Sequence, residues 1–340
     1  MENLRKLFFE LSSEDRFRIL QQLGRKAMNV TGLSRKLGVT TQESSRHVSR
    51  LSDVGLTQKD SKGLYHLTLY GKLILTQLEG LAFTSKHEDY FASRSLTNLP
   101  GEFVSRIGDL AGSKYVDDVS DVFFRIDRVI QDSKEYVCTI TDQYLMSTYP
   151  LLKEAIERGV KVRNIEARDW VVSSTMKQAY FSEEDHWVAT RQAFNEARAD
   201  GLIEERMLER LDVFLYMSEK EVAGVAFPLS NGKFDYLGFS SKSERVNKWC
   251  SDLFQYYWER ARNRKSMTEE IYKWIEKRPK AINVLKNIAD GKEIVRGKDQ
   301  IPELESRFLV KRGKPTVLGD MVLLELQGKP SDTIQKRENK

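Results

Sequence analysis

The 340-residue sequence has few cysteines, few histidines and no long apolar run, and each shortage excludes a class of protein. The only two cysteines, Cys138 and Cys250, lie far apart without partner histidines, which excludes a zinc finger, an iron–sulfur site and a disulfide framework. Four histidines give a metal enzyme little to build from, so we expect no metal and no cofactor. A run of about 18 apolar residues, which a transmembrane helix needs, does not occur.

Charges interrupt the short apolar stretch near Met1, so we expect no secretory signal and a cytoplasmic protein without a membrane partner. The net charge of +5 is an average over unlike segments. Residues 1–89 hold 14 Lys and Arg against 10 Asp and Glu, residues 90–264 hold 24 against 28, and residues 265–340 hold 17 against 12. Two basic end segments therefore flank an acidic middle segment, and the small net charge of the whole chain does not argue against binding to nucleic acid.

Residues 1–83 have the pattern of three short helices, a hairpin and a longer helix. Apolar residues recur at helical spacing within Ser13–Gly24 and Val30–Leu37. Thr40-Thr41-Gln42-Glu43 has the form of a capping box, which predicts the start of a third helix. Leu56–Thr68 then has the pattern of a hairpin. This order predicts a winged helix-turn-helix domain.

The third helix carries the face that such a domain inserts into the major groove of DNA. If Ser44, Val48 and Leu51 point inward, the outer face is polar and has no acid after Glu43. Glutamine can pair with adenine and arginine with guanine, while hairpin lysines suit the DNA backbone. We therefore expect double-stranded DNA as the partner, contacted by Thr41, Gln42, Ser45, Arg46, Ser49 and Arg50 of the helix and by Lys59, Lys62 and Tyr65 of the hairpin. The alternative is a protein–protein module whose charges are a solvated face.

Residues 118–265 alternate helices and apolar strands, which predicts an α/β domain. The strands Tyr136–Thr141 and Val160–Glu166, with a helix between them, predict a βαβ unit with a parallel pair. Residues 183–210 have a helical pattern and precede three further strands. The amphipathic helix Ser243–Arg264 closes the domain, and its aromatic stripe indicates core packing.

Residues 268–328 repeat part of the N-terminal pattern. Leu69–Gly80 aligns without gaps with Val317–Gly328, and a candidate hairpin precedes each copy. The second copy has room for about one helix fewer, so we predict a shortened winged-helix-like module, with coincidence of two amphipathic helices as the alternative. The less periodic residues 84–117 are predicted to be a linker with some helix, and residues 329–340 a polar tail.

Several stretches of the chain resemble a family of regulators. Leu33–Val39 (LSRKLGV) and Ser45–Leu56 (SRHVSRLSDVGL) resemble the winged helix of arsenical-resistance-repressor-type transcription regulators. Three stretches resemble the effector domain of archaeal regulators of the methanogenesis-and-filamentation regulatory protein type: Leu152–Val162 (LKEAIERGVKV), Ala226-Phe227-Pro228 followed by Phe234-Asp235, and Trp249–Trp258 (WCSDLFQYYW). The resemblance covers about residues 1–264 and implies an archaeal transcription regulator.

One departure from that family is Ser44, which stands where an apolar residue is usual, so the third helix is expected to sit slightly differently. Metal-sensing relatives use Cys-x-Cys or paired histidines near this helix, and neither occurs, so His47 is predicted to be structural or a phosphate contact. Regulators of this kind read two half-sites, so we expect a homodimer with Leu4–Leu11 and Leu69–Phe83 as candidate seams.

The strand order of the middle domain is reminiscent of phospholipase-D-like folds, whose chemistry needs a His-x-Lys pair. His186 is the only histidine between residues 90 and 264, and Val188 stands where the lysine would be, so we expect a binding domain and no enzyme. Ligands collect beyond the carboxyl ends of parallel strands. The ligand-binding candidates there are Asp142, Gln143, Glu166, Arg168, Asp169 and Trp170, each of which is equally compatible with an ordinary polar loop.

The sequence as a whole predicts a multidomain α+β or α/β chain: an N-terminal winged helix, a central sensor-like domain with a phospholipase-D-like sheet lacking the catalytic motif, and a C-terminal module. The predicted function is a DNA-binding transcription regulator whose central domain senses a small-molecule effector or a partner. The alternative is a scaffold that uses its winged-helix modules for protein or nucleoprotein assembly, including an intrachain pseudo-dimer of the two modules.

Overall fold

A computed structural model describes residues 1–143, 145–172, 178, 182–294 and 297–326. The chain divides into two compact units, the first made of Met1–Asp89 with Ser105–Ala111 and the second of Tyr90–Val104 with the chain from Gly112 onward. No helix in the described ranges is long and apolar enough to cross a membrane.

The first unit is a set of helices around one hairpin. Its elements are α1 (Glu2–Leu11), α2 (Glu14–Arg25), α3 (Val30–Leu37), α4 (Thr41–Asp53), β1 (Thr57–Lys59), β2 (Tyr65–Leu67) and α5 (Leu69–Lys86). The capping box begins α4 as the sequence predicts, since the Thr40 hydroxyl accepts from the Glu43 N–H at 3.2 Å and the Glu43 carboxylate accepts from the Thr40 N–H at 2.9 Å. The Thr40 hydroxyl also donates to this carboxylate at 2.8 Å, and the two hydrogen bonds that the carboxylate accepts, from the Thr40 N–H and hydroxyl, lower the pKa of Glu43.

A small apolar core holds the unit together. Buried side chains of α2, α3 and α4 meet there, among them Ile19, Leu33 and Leu51. The hairpin joins the core through Leu56 and Leu67. Burial of this kind contributes about 25 cal/mol per Å² of apolar surface, so packing rather than local propensity holds such short helices.

The hairpin ends in a turn built around one carboxylate. Asp60 Oδ1 accepts from the backbone N–H groups of Lys62 and Leu64 at 2.9 and 2.8 Å, and Gly63 takes the left-handed conformation with φ +82°. Met28, between α2 and α3, bridges to Tyr65 at the start of the return strand, so the hairpin is tied to the helices beside its turn while Lys59 and Lys62 stay exposed.

A tight joint connects the hairpin to α5. The Thr68 hydroxyl donates to the Gly55 carbonyl at 2.6 Å and accepts from the Gly71 N–H at 2.9 Å. A Cβ atom on Gly71 would lie 2.0 Å from the Leu56 carbonyl oxygen, so only glycine fits this position.

The second unit is built on an eight-stranded mixed sheet. Its strands are β3 (Lys114–Val116), β4 (Tyr136–Thr141), β5 (Lys161–Ala167), β6 (Ile203–Leu208), β7 (Phe214–Ser218), β8 (Val222–Ala226), β9 (Gly238–Ser241) and β10 (Arg262–Asn263). They lie in the order β10-β6-β5-β4-β7-β8-β9-β3, and only β4, β5 and β6 are parallel to their neighbours in that group. Two successive βαβ units therefore place three carboxyl strand ends at one edge.

Helices cover both faces of this sheet. They are α6 (Glu88–Ala92), α7 (Gly101–Ser105), α8 (Val119–Asp132), α9 (Thr148–Glu157), α10 (Asp185–Ala199) and α11 (Glu244–Arg260). Helices α8, α9 and α10 pack on the face that carries Val137 and Tyr216. Phe254 of α11 lies near Cys138 of β4 and Met217 of β7. These residues directly follow Val137 and Tyr216, and successive side chains of a strand point to opposite faces, so α11 covers the other face of the sheet. Trp249 of α11 is fully buried, as its predicted core role requires.

The strand β6 is a correction, because residues 183–210 have a helical pattern in the sequence. The helix ends at Ala199, and Gly201 with φ +73° turns the chain into a strand that pairs in parallel with β5. Three consecutive charged residues, Glu204 to Arg206, interrupt the apolar pattern that would predict a strand. Burial opposes ionisation of Glu205, but Arg198 and Arg264 beside it hold its pKa below the ordinary value.

The segment 84–117 contains more structure than a linker with some helix. It holds α6, α7, a 3-10 turn over Ile107–Gly112 and strand β3, which pairs antiparallel with β9 at the sheet edge. Tyr90 accepts a hydrogen bond from the Phe227 N–H at 2.9 Å, and Arg94 forms a two-bonded ion pair with Asp235 at 2.6 and 2.7 Å. These contacts join the segment to the sheet domain.

The C-terminal elements belong to the second unit. They are α12 (Arg264–Ile275), α13 (Pro279–Ala289), a 3-10 turn (Lys298–Gln300), α14 (Ile301–Ser306), β11 (Val310–Lys311), β12 (Lys314–Pro315) and α15 (Val317–Leu326). They share an apolar core that also takes in Met207 of β6 and Trp170 after β5. The module is therefore packed onto the parallel edge of the sheet.

The aligned repeat has the same joint in both copies. The Gly319 N–H donates to the Thr316 hydroxyl at 3.1 Å, as Gly71 does to Thr68. A Cβ on Gly319 would lie 2.2 Å from the Leu309 carbonyl oxygen, which matches the approach of Gly71 to Leu56. The two joints share residue types, bonds and backbone approach.

Candidate functional site

The outer face of α4 has the exposure that the sequence predicts. Ser44, Val48 and Leu51 are buried. The exposed residues of this face are Thr41, Gln42, Ser45, Arg46 and Ser49. Five uncharged or basic side chains with hydrogen-bonding groups therefore lie together on one rigid helix, a surface suited to base edges and phosphates.

Arg50 differs from the expectation, because an acid on α1 holds it. Its Nε and Nη2 donate to the two carboxylate oxygens of Glu10 at 2.9 and 2.7 Å, and its guanidinium lies 5.2 Å from the centre of the Phe9 ring. Hydrogen bonding to Glu10 raises the pKa of Arg50. In the structure Arg50 therefore belongs to the joint between α1 and α4, whereas Arg46 is exposed on the outer face.

Arg16 completes this joint. It pairs with the Glu10 carboxylate at 3.0 Å and donates to the carbonyls of Phe9 and Glu10 at the end of α1. Burial lowers the pKa of Arg16, and Glu10 opposes that shift. One nearly buried acid thus fixes α1, α2 and α4 together, so the orientation of the exposed face is set by the helices behind it.

His47 and Ser44 lie on the inner side of α4. His47 Nε2 is 3.7 Å from Asp15 of α2, and its side chain is mostly buried, which agrees with a structural role rather than a phosphate contact. The Ser44 hydroxyl is buried and, within the described residues, has no hydrogen-bond partner. A polar group thus stands in an apolar site, where an unpaired hydroxyl costs about 1–3 kcal/mol.

The hairpin presents two cations beside the α4 face within the same unit. Lys59 and Lys62 are exposed, and Lys59 Nζ lies 5.7 Å from the centre of the Tyr65 ring. Gln58 and His66 are hydrogen-bonded at 2.8 Å across the strands. Tyr65 is half-buried against the helices, so its ring supports Lys59 and the two lysines are the groups available to a phosphate.

The sequence candidates of the central domain do not all meet. Glu166 is fully buried and pairs with Arg264 at 3.4 Å, and Arg168 pairs with Glu209 at 3.3 Å and lies over the Phe308 ring. Gln143 makes backbone bonds with the Thr141 hydroxyl. None of these three lines the cavity described next.

An open cavity of about 490 Å³ lies beyond the carboxyl ends of β4, β5 and β6. Its lining includes three of the candidates, Asp142, Asp169 and Trp170. The remaining walls are Ala167, Val171, Arg210, Leu211, Gly232, Phe234, Lys311, Arg312 and Lys314. Burial raises the pKa of Asp142, although the Tyr236 hydroxyl donates to its Oδ1 at 3.0 Å.

Sequence reasoning missed the walls that come from distant parts of the chain. Phe234 belongs to the loop between β8 and β9, and Lys311, Arg312 and Lys314 belong to the hairpin of the C-terminal module. The repeat alignment was the available signal, because it placed a second hairpin at these residues without saying what the hairpin contacts.

The C-terminal module lacks the outer face of α4. Its α14 has six residues against thirteen in α4, and the exposed positions include Glu305 rather than a basic residue. The second copy is therefore a poor candidate for reading DNA.

Residues 11–58 match a family model described as a helix-turn-helix domain, so the chain contains a helix-turn-helix domain at its N-terminus. No curated protein matches the chain significantly.

Two solved structures are similar to the chain at low scores. One is TrmBL2, described as an archaeal chromatin protein with a novel mode of DNA binding, at 14% identity and a TM-score of 0.33 over 74% of this chain and 94% of that chain. The other is Nuc from Salmonella typhimurium, a phospholipase D family member, at 11% identity and a TM-score of 0.29 over 42% of this chain and 89% of that one. Neither likeness is close enough to support a functional conclusion.

Proposed function

We propose that this protein is a transcription regulator whose N-terminal unit binds double-stranded DNA. The observation that carries the proposal is the exposed face of α4, with Gln42 and Arg46 on a capped helix inside a matched helix-turn-helix domain. The helix enters the major groove, and Lys59 and Lys62 of the hairpin contact phosphates.

The test is fluorescence anisotropy of the full-length protein on genomic DNA fragments. Arg46→Ala should weaken binding by about tenfold or more, because a bidentate base contact contributes roughly 1–3 kcal/mol. Arg5→Ala removes the same charge from the exposed surface of α1 and should change the affinity less than about twofold. Equal affinities of wild type and Arg46→Ala would remove α4 from this role.

A salt titration measures the backbone contacts separately. Lys59→Gln with Lys62→Gln should reduce the slope of log affinity against log salt by about two, since each phosphate contact contributes about one. An unchanged slope would show that the hairpin does not contact DNA.

Dimerisation is part of the proposal, since two recognition helices read two half-sites. Leu69, Leu73 and Leu81 of α5 are exposed at 86%, 59% and 59%, and Phe8 and Phe9 of α1 are also exposed. These apolar side chains are the proposed seam between two copies. Light scattering that shows a concentration-independent monomer which still binds DNA tightly would favour the intrachain pseudo-dimer instead.

The central domain is proposed to be the sensor rather than an enzyme. It offers a cavity at the carboxyl ends of parallel strands, and a bound ligand would favour one arrangement of the DNA-binding units over another. The alternative function, a scaffold for protein or nucleoprotein assembly, predicts no sequence preference among DNA fragments, which the same anisotropy series measures.

A further inference from the structure

The cavity beside the C-terminal hairpin has an excess of positive charge. Four cations line it, Arg210, Lys311, Arg312 and Lys314, against the acids Asp142 and Asp169. Lys311 pairs with Asp169, and Arg210 pairs at 3.2 Å with Asp212, which lies outside the lining. Within the described ranges, Arg312 and Lys314 have no ion-pair partner, so two cations at the mouth remain available to an anion.

The two acids of the lining, Asp142 and Asp169, do not neutralise Arg312 and Lys314. The Asp169 carboxylate is already bound to Lys311. Asp142 accepts the Tyr236 hydroxyl, and burial favours its neutral form. The cavity therefore lacks a second free carboxylate that would attract a cationic ligand.

The other walls of the cavity are apolar or aromatic. Trp170, Phe234, Leu211 and Val171 provide flat and aliphatic surface next to the cations. A volume of about 490 Å³ is within the range of small-molecule pockets, which join apolar walls to a few placed polar groups. The pocket matches a molecule with one charged end and one apolar end.

The hairpin that supplies the cations is connected to the sheet next to the cavity. Lys311 pairs with Asp169, and the Val317 N–H donates to the Trp170 carbonyl at 2.7 Å. Both bonds reach the loop that follows β5. A ligand bound between the hairpin and Trp170 would therefore add contacts across this same junction.

We propose that this cavity binds a small organic anion, a carboxylate or a phosphate ester with an aromatic or apolar part. Arg312 and Lys314 hold the anionic group, and Trp170 and Phe234 pack against the rest of the molecule. The C-terminal module, in which a six-residue helix precedes the hairpin, thereby uses that hairpin as the outer wall of a ligand site.

The inference deepens the sensing role proposed above, and its test uses the full-length protein without DNA. Isothermal titration calorimetry compares two matched pairs of probes, AMP with adenosine and benzoate with benzamide. We expect AMP or benzoate to bind and its neutral partner to bind at least about tenfold more weakly, since a charge-assisted hydrogen bond contributes about 1.5–3 kcal/mol.

The variant Arg312→Gln with Lys314→Gln should weaken anion binding about tenfold or more. Lys280→Gln with Lys286→Gln removes the same charge from α13 in the same module, away from the cavity, and should change nothing. Circular dichroism checks that both variants fold. The anion should also slow hydrogen exchange at residues 310–315 in the wild type.

Three results would overturn the inference: neither anion binds, the neutral partner binds equally well, or the Arg312 and Lys314 variant binds the anion like the wild type. The same variant should keep its DNA affinity within about twofold. Loss of DNA binding in Arg46→Ala tests the regulator proposal alone, so the two proposals can fail independently.

Discussion

The two copies of the hairpin-and-helix element share a joint and differ in what surrounds it. In the N-terminal copy, a thirteen-residue helix precedes the hairpin and the hairpin tip is open. In the C-terminal copy, a six-residue helix precedes a hairpin that lines a cavity. The comparison indicates that the joint serves the fold in both copies. What each hairpin can contact depends on the length of the helix before it and on the residues around it.

The largest expected effect tests whether the joints are equivalent. Gly71→Ala and Gly319→Ala each place a Cβ near 2 Å from a backbone oxygen, at 2.0 and 2.2 Å, and backbone cannot move aside as a side-chain end can. Each should destabilise its own copy by about 3 kcal/mol. Hydrogen exchange reads residues 56–86 and 309–326 separately.

Gly101→Ala is the matched control for this pair, because a Cβ there meets nothing within 4 Å. Its cost should stay below about 0.5 kcal/mol. If one joint tolerates alanine as well as Gly101 does, the two copies do not share a packing requirement.

The next effect compares how each copy anchors the helix before its hairpin. Glu10 binds Arg16 and Arg50 in a nearly buried cluster, whereas Glu303 of α14 lies 3.8 Å from Arg278 with both side chains about two-fifths exposed. Glu10→Gln should destabilise the first unit by about 2–3 kcal/mol, since it leaves two arginines without their acid. Glu303→Gln should cost no more than about 0.5 kcal/mol.

Thermal unfolding followed by circular dichroism measures both variants. A cost for Glu303→Gln as large as that for Glu10→Gln would mean that α14 is anchored by its ion pair, as α4 is. DNA binding by Glu10→Gln gives a second reading, because loss of the anchor should also misplace the α4 face.

The smallest effect concerns the cavity that the hairpin of the C-terminal copy lines. Burial raises the pKa of Asp142 in the folded state, so folding favours its protonated form. Wild-type stability should therefore fall as pH rises from the ordinary carboxyl range through the raised pKa of Asp142, and the cost persists above it. Asp142→Asn lacks this cost and should be slightly more stable than wild type at pH 7.

Melting temperatures across pH 4 to 8 check this sign, with the exposed Asp200→Asn as control. The difference between Asp142→Asn and wild type should grow with pH, and the control should show no such trend. A difference that shrinks as pH rises would show that the charged form of Asp142 is favoured by its surroundings.

Local patterns predicted the parts of the fold that depend on near neighbours. The Thr40 and Glu43 capping box gave the start of α4, and apolar spacing gave its buried side, Ser44, Val48 and Leu51. The same patterns could not show β6, because Glu204 to Arg206 carry charges whose partners lie on other elements.

Long-range contacts explain the rest. Arg50 meets Glu10 forty residues earlier in the chain, a pairing that helical spacing cannot show. The cavity combines Asp142 with Lys311 and Arg312, and no local pattern relates the end of a strand to a hairpin of another module. Most secondary structure was readable from the sequence, with β3 and β6 as exceptions, while partners across the fold required the structure.

One backbone position distinguishes the two copies by residue type while sharing the sign of its torsion. Gly55 and Phe308 occupy the same place before the hairpin, since each donates its N–H three residues back along the chain, to Ser52 and Glu305. Both have positive φ, +76° and +58°, a conformation that costs a side-chain-bearing residue about 1–2 kcal/mol.

The phenylalanine offsets that cost with its ring, which packs in the C-terminal core and lies under Arg168 at 5.5 Å. Its ring joins the module to the residue that follows β5, so the contact that favours this backbone conformation comes from outside the module. The C-terminal element therefore depends on the sheet domain for its local backbone, whereas the N-terminal element has a glycine at the same place and needs no such contact.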